Sequence, residues 1–332
     1  MESLYITKSG KLARRQNTIW LQTKNGERYF YPVKNVEDIH VFSKIELNSS
    51  FLEFMSKEKI VVHFYNYFGH YTGSYYPKEY LVSGFLLSKQ ACYYQDISLR
   101  MPIAKAIVSG AMNVMAFVVK DRARRLSSFD STVLENVDIY KQQVWQTENI
   151  DELMGIEGKF RNMYLKDIDK LIKADEMKIG IRTRRPPLSK GNALMSFLNS
   201  LVYSSVLTQI YHTHLDPRIG YLHETGWRRF ALSLDIAEIF KPLIADRLLL
   251  TLINRGHIAS KHFSDKSGMV LLNETGKKIV LREYDKFIRG TVYHPRIERQ
   301  ISWKRLMRME VFRIEKHIME DQEYTPFVFP LK

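Results

Sequence analysis

The chain has 332 residues, enough for one large or two ordinary domains, each able to bury its own core. Hydrophobic residues make up 45%, which excludes a disordered chain, and 50 Lys and Arg against 36 Asp and Glu leave a formal charge of +14. That excess favours a polyanionic partner, nucleic acid ahead of an acidic membrane surface.

A single cysteine, Cys92, excludes an internal disulfide and any multi-cysteine zinc site. It falls in a predicted helix and reads as structural. The opening MESLYITKSGKLARR has no apolar signal core, and no later run is read as approaching the ~20 apolar residues of a membrane span, so a soluble, cytoplasmic protein is expected.

SLYIT, TIWLQT and ERYFYPV are short runs rich in aromatic and β-branched residues, with Asn25-Gly26 between the last two as a two-residue hairpin signal; together they predict a β-meander. Ser50 through Glu53 offers a capping box for a short helix, followed by the strand-like KIVVHFYNY and GHYTGSYYP. The aromatic run HFYNYFGHYTGSYY has residues that stack bases elsewhere, but its alternation predicts a strand pair with one buried face. Pro77 ends this pattern, and a boundary is expected near residues 73 to 80.

Beyond it the period lengthens toward 3.6, with helices predicted over Tyr80–Ala91, Met101–Arg125, Ser131–Glu148 and Ile150–Lys173. KIGIRTRRPPLSK, basic and broken by two prolines, predicts a loop. GNALMSFLNSLVYSSVLTQIYHTH resumes an apolar helix, Asp216-Pro217 turns, and Pro242 is expected to kink or restart the helix that follows before a stop at Gly256. MVLLNETGKKIVL predicts a hairpin, and Arg296–Glu320 an amphipathic helix. The predicted fold is therefore α+β: a small N-terminal β-sandwich-like domain, residues 1–77, followed by a large, mostly α-helical domain, residues 78–332.

LHETGWRRFALSLDIAEIF sets Asp235 and Glu238 three residues apart in an apolar run, where unpaired charge is costly. On a helix such residues share a face, with β-carbons roughly 5–6 Å apart, so both carboxylates can point into one small volume. Partial exposure relieves their repulsion; so does protonation of one acid, an intervening basic side chain, or a divalent cation. His223, across the Gly226 turn, is able to return an imidazole to that face. His212 and His214 form a His-x-His that with His223 suggests a zinc hydrolase, but a neighbouring acid-ligand pattern is missing. Gly155 to Lys159 and Gly276 to Lys278 lack the glycine spacing and the Ser/Thr of a phosphate loop, so nucleotide hydrolysis is not expected.

DPRIGYLH followed by LSLDIAEIFKPLIADR resembles the integrase family of CRISPR adaptation, the first of the Cas series, in which a DP-x-IG-(F/Y)-LH turn precedes a helix reading LD-x-x-E-x-F-x-P-x-x-x-D. ELMGIEGKFRNMY resembles the family's LM-x-x-EG helix, GNALMSFLNSLVY its Asn-containing helix, and the likeness extends over most of the chain.

The resemblance implies a metal-dependent DNA endonuclease and integrase that inserts spacer DNA at a CRISPR array. It implies Mn²⁺ or Mg²⁺ held by Glu157, His223 and Glu238, with Asp235 as an additional acid beside the site. It implies a homodimer formed through the N-terminal domain, a catalytic helical domain, and a complex with the second Cas adaptation protein, Cas two. Arg182, Arg184, Arg185, Lys190, Arg228, Arg229, Lys241 and Arg247 are candidates for contacts to the phosphates of spacer and repeat duplexes. Two alternatives stay open: a branched-DNA or repair nuclease without integration, and a non-catalytic DNA-binding scaffold.

Overall fold

A computed structural model covers the chain and describes every residue except 125, 127, 185, 227–229, 267, 295–296 and 330–332. The chain divides into two compact units, Met1–Val82 and Ser83–Lys332. The division lies beyond Pro77, where the strand pattern ends.

The first unit runs β1 (Glu2–Ile6), β2 (Gly10–Arg15), β3 (Thr18–Thr23), β4 (Arg28–Pro32), β5 (Val36–Val41), β6 (Ile45–Glu46), α1 (Ser49–Lys57), β7 (Val61–Tyr65) and β8 (Tyr71–Tyr75). Two four-stranded sheets result, ordered β1-β5-β7-β8 and β4-β3-β2-β6. Strand alternation explains the division of labour between faces. Ile39, Val41 and Val62 of one sheet share a core with Leu12, Ile19 and Leu21 of the other and with Phe51, Phe54 and Met55 of α1.

The meander is β2-β3-β4, with GKLARR as its unpredicted first strand, whereas SLYIT leaves for the other sheet and pairs parallel with β5. Nothing local distinguishes these outcomes, because each strand carries the same period and only the shared core selects its partner. The β3–β4 turn is longer than the two-residue one expected: Thr23 N donates to Glu27 O at 2.9 Å, and Gly26 alone takes a left-handed φ of +84°. The cap of α1 is Asn48, whose Oδ1 accepts from Phe51 N at 3.0 Å, in place of the expected Ser50.

The second unit contains α2 (Gly84–Gln95), α3 (Ile97–Ala123), α4 (Thr132–Gln146), α5 (Ile150–Leu171), α6 (Lys190–Tyr211), α7 (Ala231–Phe240) and α8 (Arg247–Asn254). It ends with β9 (Phe263–Lys266), β10 (Met269–Leu272), α9 (Glu274–Arg289), β11 (Thr291–His294), β12 (Arg299–Ser302) and α10 (Trp303–Ile318). Side-chain caps fix where the helices begin: Ser83, Asp96, Ser131, Asn149, Ser189, Asn273 and Ser302 each accept a first-turn backbone N–H.

Helices α3 and α6 are in fact long and apolar enough to cross a membrane, contrary to the sequence expectation, but 78% and 83% of their most apolar windows are buried within the protein. They are the core helices: α3 packs on α2, α4, α5 and α7, while α6 packs on α7 and α10. Pro242 acts as expected, since α7 gives way to a wider π-helical turn over Lys241–Asp246 before α8.

The C-terminal expectations need correction. MVLLNETGKKIVL divides at Asn273 into a strand paired with β9 and the start of α9, and the amphipathic helix begins only at Trp303, after a short hairpin. The first error comes from an asparagine that caps a helix inside a stretch with a hairpin's pattern, and the second from a helical pattern that runs N-terminally past the Ser302 cap into β12. Cys92 lies on α2 as predicted, but it is exposed and therefore does not pack the core.

Candidate active site

Helix α5 presents Glu157 and Arg161 four residues apart on the border of a buried stripe that includes Leu153, Phe160 and Tyr164. Arg161 Nε donates to Glu157 Oε1 at 2.7 Å, and the other end of its guanidinium donates to Glu238 Oε2 on α7. Lys241 Nζ donates to Glu238 Oε1 at 2.6 Å. Glu157 and Glu238, 81 positions apart by number (238 − 157), are thus joined through one guanidinium. The two glutamate side chains are 14% and 10% exposed, so the pairing is little screened by water.

Burial opposes ionisation of Glu238, but the charges of Arg161, Lys241 and His223 outweigh it and hold its carboxyl well below the usual carboxylate range. Burial likewise works against the charge on Arg161, and Glu238 and Glu157 reverse that effect.

Asp235 answers the question raised by two acids in an apolar run differently from Glu238. It is fully buried, so partial exposure does not account for it. Its Oδ2 accepts from Leu222 N at 3.0 Å and from Tyr221 N, while Oδ1 accepts from His223 N at 2.9 Å and meets His223 Nδ1 at 2.8 Å. One carboxylate therefore satisfies three consecutive backbone donors and holds the imidazole. The approach is so close that a β-carbon on Gly220 would lie 2.8 Å from Asp235 Oδ2, which accounts for the glycine. Asp235 is a positioning residue: it fixes the tautomer and tilt of His223, leaving Nε2 as the ring nitrogen available for other work.

Two residues of this region were not singled out from sequence. Arg161 had a local signal, the four-residue spacing from Glu157. Asp246, the last acid of LSLDIAEIFKPLIADR, had none beyond the motif. Tyr164 Oη donates to Asp246 Oδ2 at 3.0 Å, and burial pushes the Asp246 carboxyl up to about 6 against the opposing pull of Arg161.

A raised carboxyl pKa favours the folded state at low pH, and that stability is lost as pH rises through about 6. In Asp246→Asn, which still accepts from Tyr164, that loss is absent. The stability of the variant relative to wild type should therefore rise by on the order of 2 kcal/mol between pH 4 and pH 7 in urea titrations. A difference independent of pH would refute the assignment.

The basic candidates separate into tethered and open groups. Arg182 donates to Asn192 Oδ1 at 2.8 Å and to Ser196 Oγ at 3.0 Å, and burial, then Arg184, lower its pKa to about 10. Lys190 donates to Ser260 Oγ at 2.8 Å, Lys241 is engaged with Glu238, and Arg247 lies 3.5 Å from Asp121. Arg184 is exposed, whereas Arg185, Arg228 and Arg229 lie outside the described residues. The set-aside His214 contacts Glu315 Oε1 through Nδ1 at 3.0 Å.

The donor chemistry fits the divalent cation that the resemblance implies. Two carboxylates and an imidazole suit a hard to borderline ion such as Mg²⁺ or Mn²⁺, and a positive group, the Arg161 guanidinium, already lies between the carboxylates. A two-unit α+β protein whose helical unit gathers buried carboxylates and an oriented imidazole belongs to the class with a candidate metal-dependent site.

The comparisons specify the family. The family model for CRISPR associated protein Cas1 matches residues 4–286. The CRISPR-associated endonuclease Cas1 of Thermotoga maritima is 46% identical over 324 residues, covering 98% of this chain and 99% of that one. The protein of the same name from Methanocaldococcus jannaschii is 37% identical over 327 residues, covering 98% of each. A solved Cas1 structure from Thermotoga maritima superposes with a TM-score of 0.89 at 45% identity over the full length of both chains. A casposase bound to integration product shares the fold, with a TM-score of 0.88 at 18% identity, covering 100% of this chain and 94% of that one. The chain belongs to the Cas1 family, and both of these curated relatives carry the enzyme name CRISPR-associated endonuclease.

Proposed function

We propose that the protein is a metal-dependent DNA endonuclease and integrase that joins a spacer 3′-hydroxyl to a phosphodiester of a CRISPR repeat. The observation that carries this reading is the convergence of Glu157 and Glu238 on one guanidinium, with His223 near enough to Glu238 for its charge to be felt there. Glu157, His223 and Glu238 would hold Mn²⁺ or Mg²⁺. When bound, such an ion polarises a phosphate oxygen and favours the ionised form of an attacking hydroxyl.

The chain's own residues do the remaining work. Asp235 orients His223, Arg161 and Lys241 hold Glu238 ionised, Arg161 also pairs with Glu157, and the apolar packing of α7 against α3 and α6 keeps bulk water from that side. In strand joining one P–O bond forms as another breaks, and the leaving 3′-oxygen takes up the proton equivalent that the attacking hydroxyl releases. The exchange needs no nucleotide fuel. With water as the attacking group, the same site cleaves.

The helical unit is proposed as catalytic and the N-terminal unit as the homodimer contact, in a cytoplasmic complex with Cas two on double-stranded donor and repeat DNA. A fold relative occurs in a Cas6-RT-Cas1–Cas2 complex, which supports the choice of partner. The test is joining of a 3′-hydroxyl duplex to a repeat-bearing target, with and without chelator, beside branched and intact duplex controls. Chelator-sensitive joining at the repeat is expected. Cleavage confined to branched DNA would make the protein a repair nuclease, and binding without metal-dependent chemistry a scaffold.

A further inference from the structure

We propose that Asp38, His40 and His63 of the N-terminal unit form a second divalent-metal site, of structural type and suited to Zn²⁺, that clamps β5 to β7. The three side chains each offer a ligand atom, and these atoms lie within 4.8 Å of one another. They are brought together by register, since His40 pairs directly with His63 across the parallel β5–β7 ladder and Asp38 lies two residues before His40 on the same face. The opposite face of these strands carries Ile39, Val41 and Val62 into the hydrophobic core, so the polar trio is not needed to fill it.

All three residues are fully buried. A dication held by the three side chains would add positive charge beside the buried Asp38 carboxylate, where burial makes such charge most effective. His40 Nε2 lies 3.4 Å from Asp38 Oδ2, beyond the usual 2.7–3.2 Å of an N–H···O bond. With metal bonds of about 2.0–2.1 Å, ligand atoms of a tetrahedral zinc centre stand roughly 3.3–3.4 Å apart, which matches this separation.

The surrounding contacts have the pattern of a supported ligand set. His40 Nδ1 contacts Tyr65 Oη at 2.9 Å and His63 Nδ1 contacts Ser74 Oγ at 2.7 Å. The hydroxyl on each Nδ1 leaves Nε2 as the ring nitrogen for the ligand role, and His40 Nε2 is the atom that faces Asp38. Tyr5 stacks on His40 with ring centroids 5.0 Å apart, and the two imidazole centroids lie 4.9 Å apart, so aromatic rings shield the trio from water. Full burial of the three ligands favours a structural role, with the fourth tetrahedral position left to a bound water or a further donor.

The experiment measures metal in the full-length protein. Purified wild type, dialysed against Mg²⁺ buffer, is expected to retain about one Zn²⁺ per chain by elemental analysis, and after exchange Co²⁺ should give the visible absorption of a tetrahedral nitrogen and oxygen site. Glu157→Ala/Glu238→Ala should keep this metal, separating it from the proposed catalytic ion. His63→Gln should lose it, and Ser74→Ala, which leaves every ligand in place, should bind Zn²⁺ about 10–100-fold more weakly. Should His63→Gln fail to fold, the Co²⁺ spectrum of wild type and the Ser74→Ala titration decide. Zinc absent from wild type, or lost with the catalytic glutamates, or bound equally by Ser74→Ala, would overturn the site in favour of a metal-free imidazole–carboxylate network.

Discussion

Glu238→Ala should lower the rate of strand joining in Mn²⁺ by at least about a thousandfold, equivalent to some 4 kcal/mol in the barrier, while duplex binding in gel-shift experiments stays near wild type. The split between the two readouts follows from position. Glu238 is 10% exposed and surrounded by Arg161, Lys241 and His223, so its carboxylate faces the candidate centre and not a broad DNA surface. Its loss leaves those cations in place to attract phosphate. Glu157→Ala and His223→Ala should behave alike, and Glu238→Asp, shorter by one methylene, should retain part of the activity. Wild-type rates in all three alanine variants would remove the catalytic assignment.

The second large effect is expected at Arg161. Arg161→Gln removes the cation that joins Glu157 to Glu238 and leaves two nearly buried carboxylates, of which Glu238 keeps its pairing with Lys241. Breaking such a buried arrangement costs about 3–5 kcal/mol, so the metal-free variant should unfold at markedly lower denaturant. Added Mn²⁺ should recover much of the loss, because a dication at the same carboxylates supplies the missing charge and stabilises the folded state by mass action. Wild type, in which the guanidinium competes with the ion, should gain less from Mn²⁺. Equal metal-induced shifts in the two proteins would show that Arg161 does not share the site.

Much of this molecule can be read along the chain. Pro77 and the change of period separate strands from helices, and DPRIGYLH with LSLDIAEIF points to the acids and the histidine. The failures are specific. SLYIT and GKLARR were not assigned to their sheets because a strand's own pattern states which face is buried and not which neighbour covers it. Asn273 caps α9 inside a stretch with a hairpin's pattern, and Ser302 caps α10 inside a stretch with a continuous helical pattern, because periodicity alone does not mark where a cap starts a helix. The length of α3 and α6 was missed as a spanning signal, and their burial removes its force.

The order of residues by itself determined the class of fold, the basic charge and His223, Asp235 and Glu238 as candidates, since period, composition and spacing are local properties; Glu157 entered only through the family resemblance. Only the tertiary structure decided what each one touches. Asp235 gathers the backbone donors of Tyr221, Leu222 and His223, Arg161 links helices α5 and α7, and Asp38 meets two histidines across a sheet. These contacts join residues distant in sequence, and buried charge accepts only partners that the packing of the whole chain brings within reach.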